Sequence, residues 1–163
     1  FDIFKDINPL LKSIKLKPLC RIYMRFSDVK WMKDIPRLTI NNQLRYIIPI
    51  DVKKGLIMIS YTDDIYTKYW NKMNNNQEKL KKSVVKLVNK TFDIQINEPR
   101  KVYVCHWDCG VAYWNKKVDS ISVSNQITNP IDNLFICGEN YSRTQSWVEG
   151  ALESCDRCLK ACI

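Results

Sequence analysis

Residues 133–163 read NLFICGENYSRTQSWVEGALESCDRCLKACI. The apolar run Asn133–Cys137 has the length and character of a short buried strand. It ends at Gly138-Glu139, a polar loop follows, and a helix is expected from about Ser146 or Trp147 to the last residue. The chain has only four glycines, and Gly138 and Gly150 both fall here. An apolar strand feeding a helix through a polar loop normally joins a parallel sheet, with ligand held at the strand's carboxyl end. The chain offers no other βαβ pattern. The segment therefore predicts a sheet that the rest of the sequence does not supply.

Upstream, the patterns are those of an α+β fold. Residues 18–27 (PLCRIYMRFS) are rich in β-formers, and RLTI and LRYIIPI flank Asn41-Asn42 as a hairpin. GLIMISY, after Gly55, is a third strand. Thr62-Asp63-Asp64 is expected to cap a helix over IYTKYWNKM. In NNNQEKLKKSVVKLVNK, Leu80, Val84, Leu87 and Val88 form one apolar helical face, and Lys79, Lys82, Lys86 and Lys90 read as its solvated side. RKVYVCHW is a further strand running into Gly110, and Lys116 to Pro130 reads as a polar, low-order connection. The expected fold class is α+β, with a mixed or antiparallel sheet, flanking helices and the terminal strand–loop–helix.

Bulk properties narrow the function classes. At 163 residues the chain has the length of one domain with a real core. It has no apolar run of about 18 residues and no signal-peptide pattern after Phe1, so no membrane partner is expected. A chain without an initial Met reads as a processed product or a fragment, and here as a fragment. The net charge is +9, but no segment interleaves Arg with aromatics as a nucleic-acid groove does. The bias toward Ile, Lys and Asn accounts for much of the charge and suits the A/T-rich genome of a giant virus, or of many protists. Nucleic acid is therefore not the expected partner.

Seven cysteines without a secretory signal favour free thiols in a reducing compartment, cytoplasm or virion. Cys155, Cys158 and Cys162 fall at i, i+3 and i+7, one stripe of a helix, and are expected as core residues. No metal site is expected, since His106 is the only histidine and lies in a strand-like run.

The segment LFICGENYSRTQSWVEGALESC resembles the C-terminal flavin-binding segment of the flavin-containing amine oxidases, the monoamine and polyamine oxidases and their kin. The family's strand ends in Gly-Glu or a close variant, and an aromatic-x-Glu/Gln-Gly-Ala then opens a helix. Here these positions are Gly138, Glu139, Trp147, Glu149, Gly150 and Ala151. LKPLCRIYMRFSDVKW resembles the strand that opens the family's substrate half and ends in an aromatic, Trp31. QEKLKKSVVKLVNKTFDIQINEPRKVYVCHW resembles its helix, Glu-Pro link (Glu98-Pro99) and strand ending in Trp107. GVAYW resembles the stretch that sets an aromatic beside the flavin.

The resemblance implies a C-terminal half only: a substrate-binding domain over 1–118 and the last piece of an FAD domain over 119–163. The Gly-x-Gly-x-x-Gly half is absent from these residues, so the implied partners are an N-terminal FAD-binding half or another chain, and a small amine substrate. The implied cofactor is FAD, bound by Gly138, Glu139, Trp147 and Val148. Ala112 stands where monoamine oxidases have their flavin-linking cysteine, so the FAD would be non-covalent. Tyr113 and Trp147 match the substrate's aromatic cage. Arg21 stands at the catalytic lysine position, Ser146 at a usual glycine, and Cys155 at another. The implied reaction is hydride transfer from an amine C–N bond to flavin with oxygen as acceptor. The alternatives are a catalytically decayed fold kept as a structural or binding module, and a basic nucleic-acid-associated protein.

Overall fold

In a computed structural model describing residues 3–73 and 75–163, the chain is an α+β protein built on a five-stranded antiparallel sheet. The elements run α1 (Ile3–Leu11), β1 (Ile14–Arg25), β2 (Leu38–Thr39), β3 (Tyr46–Asp51), β4 (Leu56–Asp63), α2 (Thr67–Asn71), α3 (Gln77–Phe92), β5 (Lys101–Trp114), α4 (Ser120–Gln126) and α5 (Val148–Cys162). Strand order is β2-β3-β4-β1-β5. Two compact units result, one of residues 18–110 and one joining the residues up to 17 with 111–163.

Alternation on β1 sets the faces of the 18–110 unit. Cys20, Ile22 and Met24 point into the core, while Arg21, Tyr23 and Arg25 take the opposite face. Against β4 the register pairs Leu19 with Asp63, Arg21 with Tyr61 and Arg25 with Leu56, slipping once between Ile22 and Tyr23. The hairpin at Asn41-Asn42 forms as expected, with Leu38 opposite Ile47. The core face is covered by α3 through Leu80, Val84 and Val88, with Leu87 packed at its margin. Asn76 caps α3 by accepting the Lys79 N–H at 2.9 Å. Trp70 of α2 is fully buried, and its indole N–H donates to the Gln43 carbonyl at 2.9 Å. Asp63 stands at the cap position of a 3₁₀ turn over Asp64–Tyr66 with no side-chain cap bond, so the expected capped helix reduces to this turn and the short α2.

The other unit corrects three expectations. Lys116 to Pro130 is not low in order: it contains α4, whose Asp119 accepts the Ile121 and Ser122 N–H groups at 3.1 and 3.0 Å. Asn133–Cys137 is not a buried strand. It is partly exposed, its one β contact among the described residues is a bridge between Ile131 and Leu134, and its backbone is bound elsewhere. Asn129 Nδ2 donates to the Leu134 carbonyl at 2.9 Å, and the Ile136 N–H to the Thr128 carbonyl at 3.2 Å. Little is left for a ladder. The cysteine stripe on α5 is core only at Cys158, which is buried; Cys155 is half-buried and Cys162 exposed. The buried face of α5 is instead Gly150, Ser154 and Cys158, and Val148, Leu152 and Leu159 lie in the open at 64–70% exposure.

Two outcomes test this core. Trp70→Ala should lower unfolding free energy by about 3–5 kcal/mol in urea titration, whereas exposed Tyr103→Ala should stay within about 0.5 kcal/mol. Burial, aided by nearby Cys105, pushes the Cys20 thiol up from 9.0 to about 11. The unfolded chain gives up this proton first, so the contribution is complete below pH 9 and is lost as pH rises toward 11. Urea titrations across that window should show a shallower decline for Cys20→Ala than for the native chain.

Candidate functional site

The open face of the 18–110 unit centres on Arg21. Its guanidinium lies 4.7 Å from the centroid of the Tyr61 ring and 6.0 Å from that of Trp107, within cation–π range. One Nη reaches the Tyr61 hydroxyl at 3.5 Å, while Nε is buried with no hydrogen-bond partner among the described residues. The hydrogen bond to Tyr61 raises the guanidinium's pKa further, against desolvation, with a lesser contribution from Tyr23. Arg21 is thus a permanent cation, and it does not exchange protons at neutral pH. Tyr46 packs on Tyr61 at 5.9 Å, and Tyr46 and Trp107 are each about two-fifths exposed. Val102 and Val104 turn to the core, so Tyr103 between them faces the other way. The result is a sheet face of aromatic rings around one buried-stem cation.

In the other unit, β5 ends in Tyr113 and Trp114. These two line an open cleft of about 500 Å³ with Lys15, Lys17, Asn115 and Lys116. Among the described residues no carboxylate lines it, and Lys15 and Lys116 give it a basic rim. Trp147 is not among its walls. Trp147 stands at the cap position of α5, 64% exposed, beside exposed Val148. The backbone of Trp114 nonetheless reaches the same loop: its N–H donates to Gln145 Oε1 at 3.2 Å, and Gln145 Nε2 donates to the Asn140 carbonyl at 2.7 Å.

Gly138, Glu139, Trp147 and Val148 are brought together by the loop that enters α5. Ser154 clasps the Gly138 peptide: its Oγ accepts the Gly138 N–H at 2.8 Å and lies 3.1 Å from the Gly138 carbonyl. Glu139 does not point outward as a free acid, because its carboxylate accepts the Ser146 N–H. Gly138 has φ +136°, which side chains rarely adopt, and open space where a Cβ would be. At Gly150 a Cβ would lie 2.1 Å from the Thr144 carbonyl oxygen, so only glycine lets the loop press on the helix. Ser146 holds φ +70°, a conformation that glycine takes without penalty. Trp147, at the cap position of α5, makes no side-chain cap bond, and the start of a helix is a partial positive end that suits an electron-rich atom.

The resemblance pointed to Arg21 and named Trp107 at a strand end; the grouping of Tyr61, Tyr46 and Trp107 about Arg21 joins three different strands. The i, i+2 series Arg21, Tyr23 and Arg25 on one strand was the available signal. Ser154 and Gln145, which fix the loop, carried none. Among the described residues, no group of three or more His, Cys, Asp or Glu side chains is placed to hold a metal ion, and no helix is long and apolar enough to cross a membrane. The chain matches no protein-family model, and no curated protein matches it at a significant level.

Gly150→Ala should loosen the loop locally: hydrogen exchange at residues 142–146 should quicken at least tenfold, about 1.4 kcal/mol of local opening. Exchange in α3 should be unchanged.

Proposed function

We propose that the chain is the C-terminal part of a flavin-dependent amine-oxidase-like protein. The observation that carries this reading is the backbone at the four positions of the Gly-Glu…Ser-Trp-x-Glu-Gly pattern. Gly138 is at positive φ with open space beside it, Glu139 is tied to Ser146, Ser146 is itself at positive φ, and Gly150 is pressed on Thr144. Each is a local reason for the residue, or for the family's glycine, at that place. The residues also fit the part of FAD they would hold. Gly138 leaves room for a close approach, and the start of α5 presents amides to an electron-rich ring edge. Bound flavin would supply a two-electron acceptor for hydride from an amine C–N bond.

The chain's own residues would do the rest. The loop holds its shape through Ser154 and Gln145. Trp147 and Tyr113 would flank the substrate and exclude water. Arg21 at the lysine position would bring charge without proton transfer, which predicts slow reoxidation by oxygen. Exposed Val148, Leu152 and Leu159 on α5 fit a helix that lies against the N-terminal flavin-binding half.

One observation favours the second reading, a catalytically decayed fold that serves as a binding module. Lys15 and Lys116 share the cleft with Tyr113, a basic rim that suits an anionic group better than a protonated amine. A single titration separates the two. The chain, alone and with a separately produced Gly-x-Gly-x-x-Gly half, is mixed with FAD and passed through gel filtration. Flavin absorbance that co-elutes only with the paired chains, weakens about tenfold in affinity for Gly138→Val, and bleaches with an amine in the absence of air supports the oxidase. Colourless fractions in every mixture overturn it.

A further inference from the structure

Cys137 lies in the open between two points where its own backbone is fastened to α5. On one side the Cys158 thiol donates to the Ile136 carbonyl, Sγ to oxygen 3.2 Å. On the other, the Gly138 N–H donates to Ser154 Oγ at 2.8 Å. The two anchors are one helical turn apart, so residue 137 crosses α5 over the turn that carries Cys155. The thiols of Cys137 and Cys155 are within hydrogen-bond reach of each other, and Cys137 also reaches Cys158. All three are free thiols; Cys137 is exposed, Cys155 half-buried and Cys158 buried. Contact runs pairwise through Cys137, and the described residues form no metal-holding group.

We propose that Cys137 and Cys155 form a reversible redox pair, a peroxide-oxidised disulfide site that fastens the entrance loop to α5. Cys137 is the exposed partner, so its thiolate attacks the peroxide O–O bond, giving the Cys137 sulfenic acid and one water. Cys155 then attacks that sulfur, the S–S bond forms, and the sulfenic oxygen leaves as a second water. Two thiols and one peroxide become one disulfide and two waters. A dithiol reverses the step by exchange and leaves as its own disulfide. The hydrogen bond between the two thiols keeps the Cys155 proton in place in the resting state and holds its pKa above the ordinary value. The Cys158 thiol donates to the Ile136 carbonyl and is buried, which makes it the slower partner. The site needs no flavin, so its fate is independent of the oxidase reading.

The experiment uses the intact chain with hydrogen peroxide, at a concentration low enough that dimers do not form. Non-reducing digestion and mass spectrometry should find one dominant cross-linked peptide joining Cys137 to Cys155, two hydrogen masses lighter than the reduced pair and restored by dithiothreitol. Exposed Cys109 is the internal control and should oxidise at least tenfold more slowly to any linked product. In Cys155→Ser the sulfenic acid on Cys137 should persist and be trapped by dimedone, and in Cys137→Ser the link should vanish. Equal oxidation of Cys109 and Cys137, or a dominant link from Cys137 to Cys158 or between chains, would overturn the proposal. Circular dichroism of each variant, matched to the native chain, separates lost chemistry from lost folding.

Discussion

The packing of Trp70 beneath the sheet is the constraint on which the 18–110 unit depends. The ring is wholly buried, yet it carries a polar N–H, and a buried donor without a partner would be costly. Its partner is the Gln43 carbonyl, in the loop that joins β2 to β3. One residue therefore fixes the position of α2, the path of the hairpin and the thickness of the layer that α3 completes. Ser60 reinforces it, donating from β4 to the Leu44 carbonyl at 2.9 Å. The sheet is thus covered on one face by helices. Its other face is left to the aromatic rings around Arg21.

That asymmetry is what gives the unit a chemical surface. A sheet buried on both faces would carry continuous apolar strands, whereas β1 alternates from Cys20 to Arg25. Arg21 can stand among Tyr61, Tyr23 and Trp107 because its opposite neighbours Cys20 and Ile22 already supply the core. The rings shield the guanidinium stem while its head keeps hydrogen-bonding capacity, including an Nε with no described partner. A lysine in the same place would have offered a titratable proton; an arginine offers a fixed charge and a flat face for stacking.

Much of this was legible in the sequence, for identifiable reasons. The helix over Gln77–Phe92 and the hairpin at Asn41-Asn42 are written in local patterns: a 3.6-residue apolar period, and a turn pair between β-formers. The run Asn133–Cys137 misled because a short apolar stretch has no period to read. Its backbone partners, Asn129, Thr128 and Ser154, lie outside the run itself. α4 was hidden for the opposite reason. Its serines weaken any apolar stripe, and only the Asp119 cap and the burial of Ser124 and Ile127 reveal it. At the candidate site, the glycines announced their own constraints, since both mark places where a Cβ is excluded or strained. The rings around Arg21 could not be read, because cross-strand neighbours depend on register.

The same distinction explains why α5 has its small, polar side inward. Gly150, Ser154 and Cys158 recur every four residues, and each is occupied by the loop it faces: Thr144 against Gly150, Gly138 on Ser154, and Ile136 on Cys158. A larger apolar residue at any of the three would push the loop off the helix and release Gly138 from its positive-φ conformation. The apolar residues of α5 are displaced to the outside as a consequence. The helix therefore spends its inner face on holding a loop in shape, and this arrangement makes sense only if the loop's shape, rather than burial of α5, is what the sequence maintains.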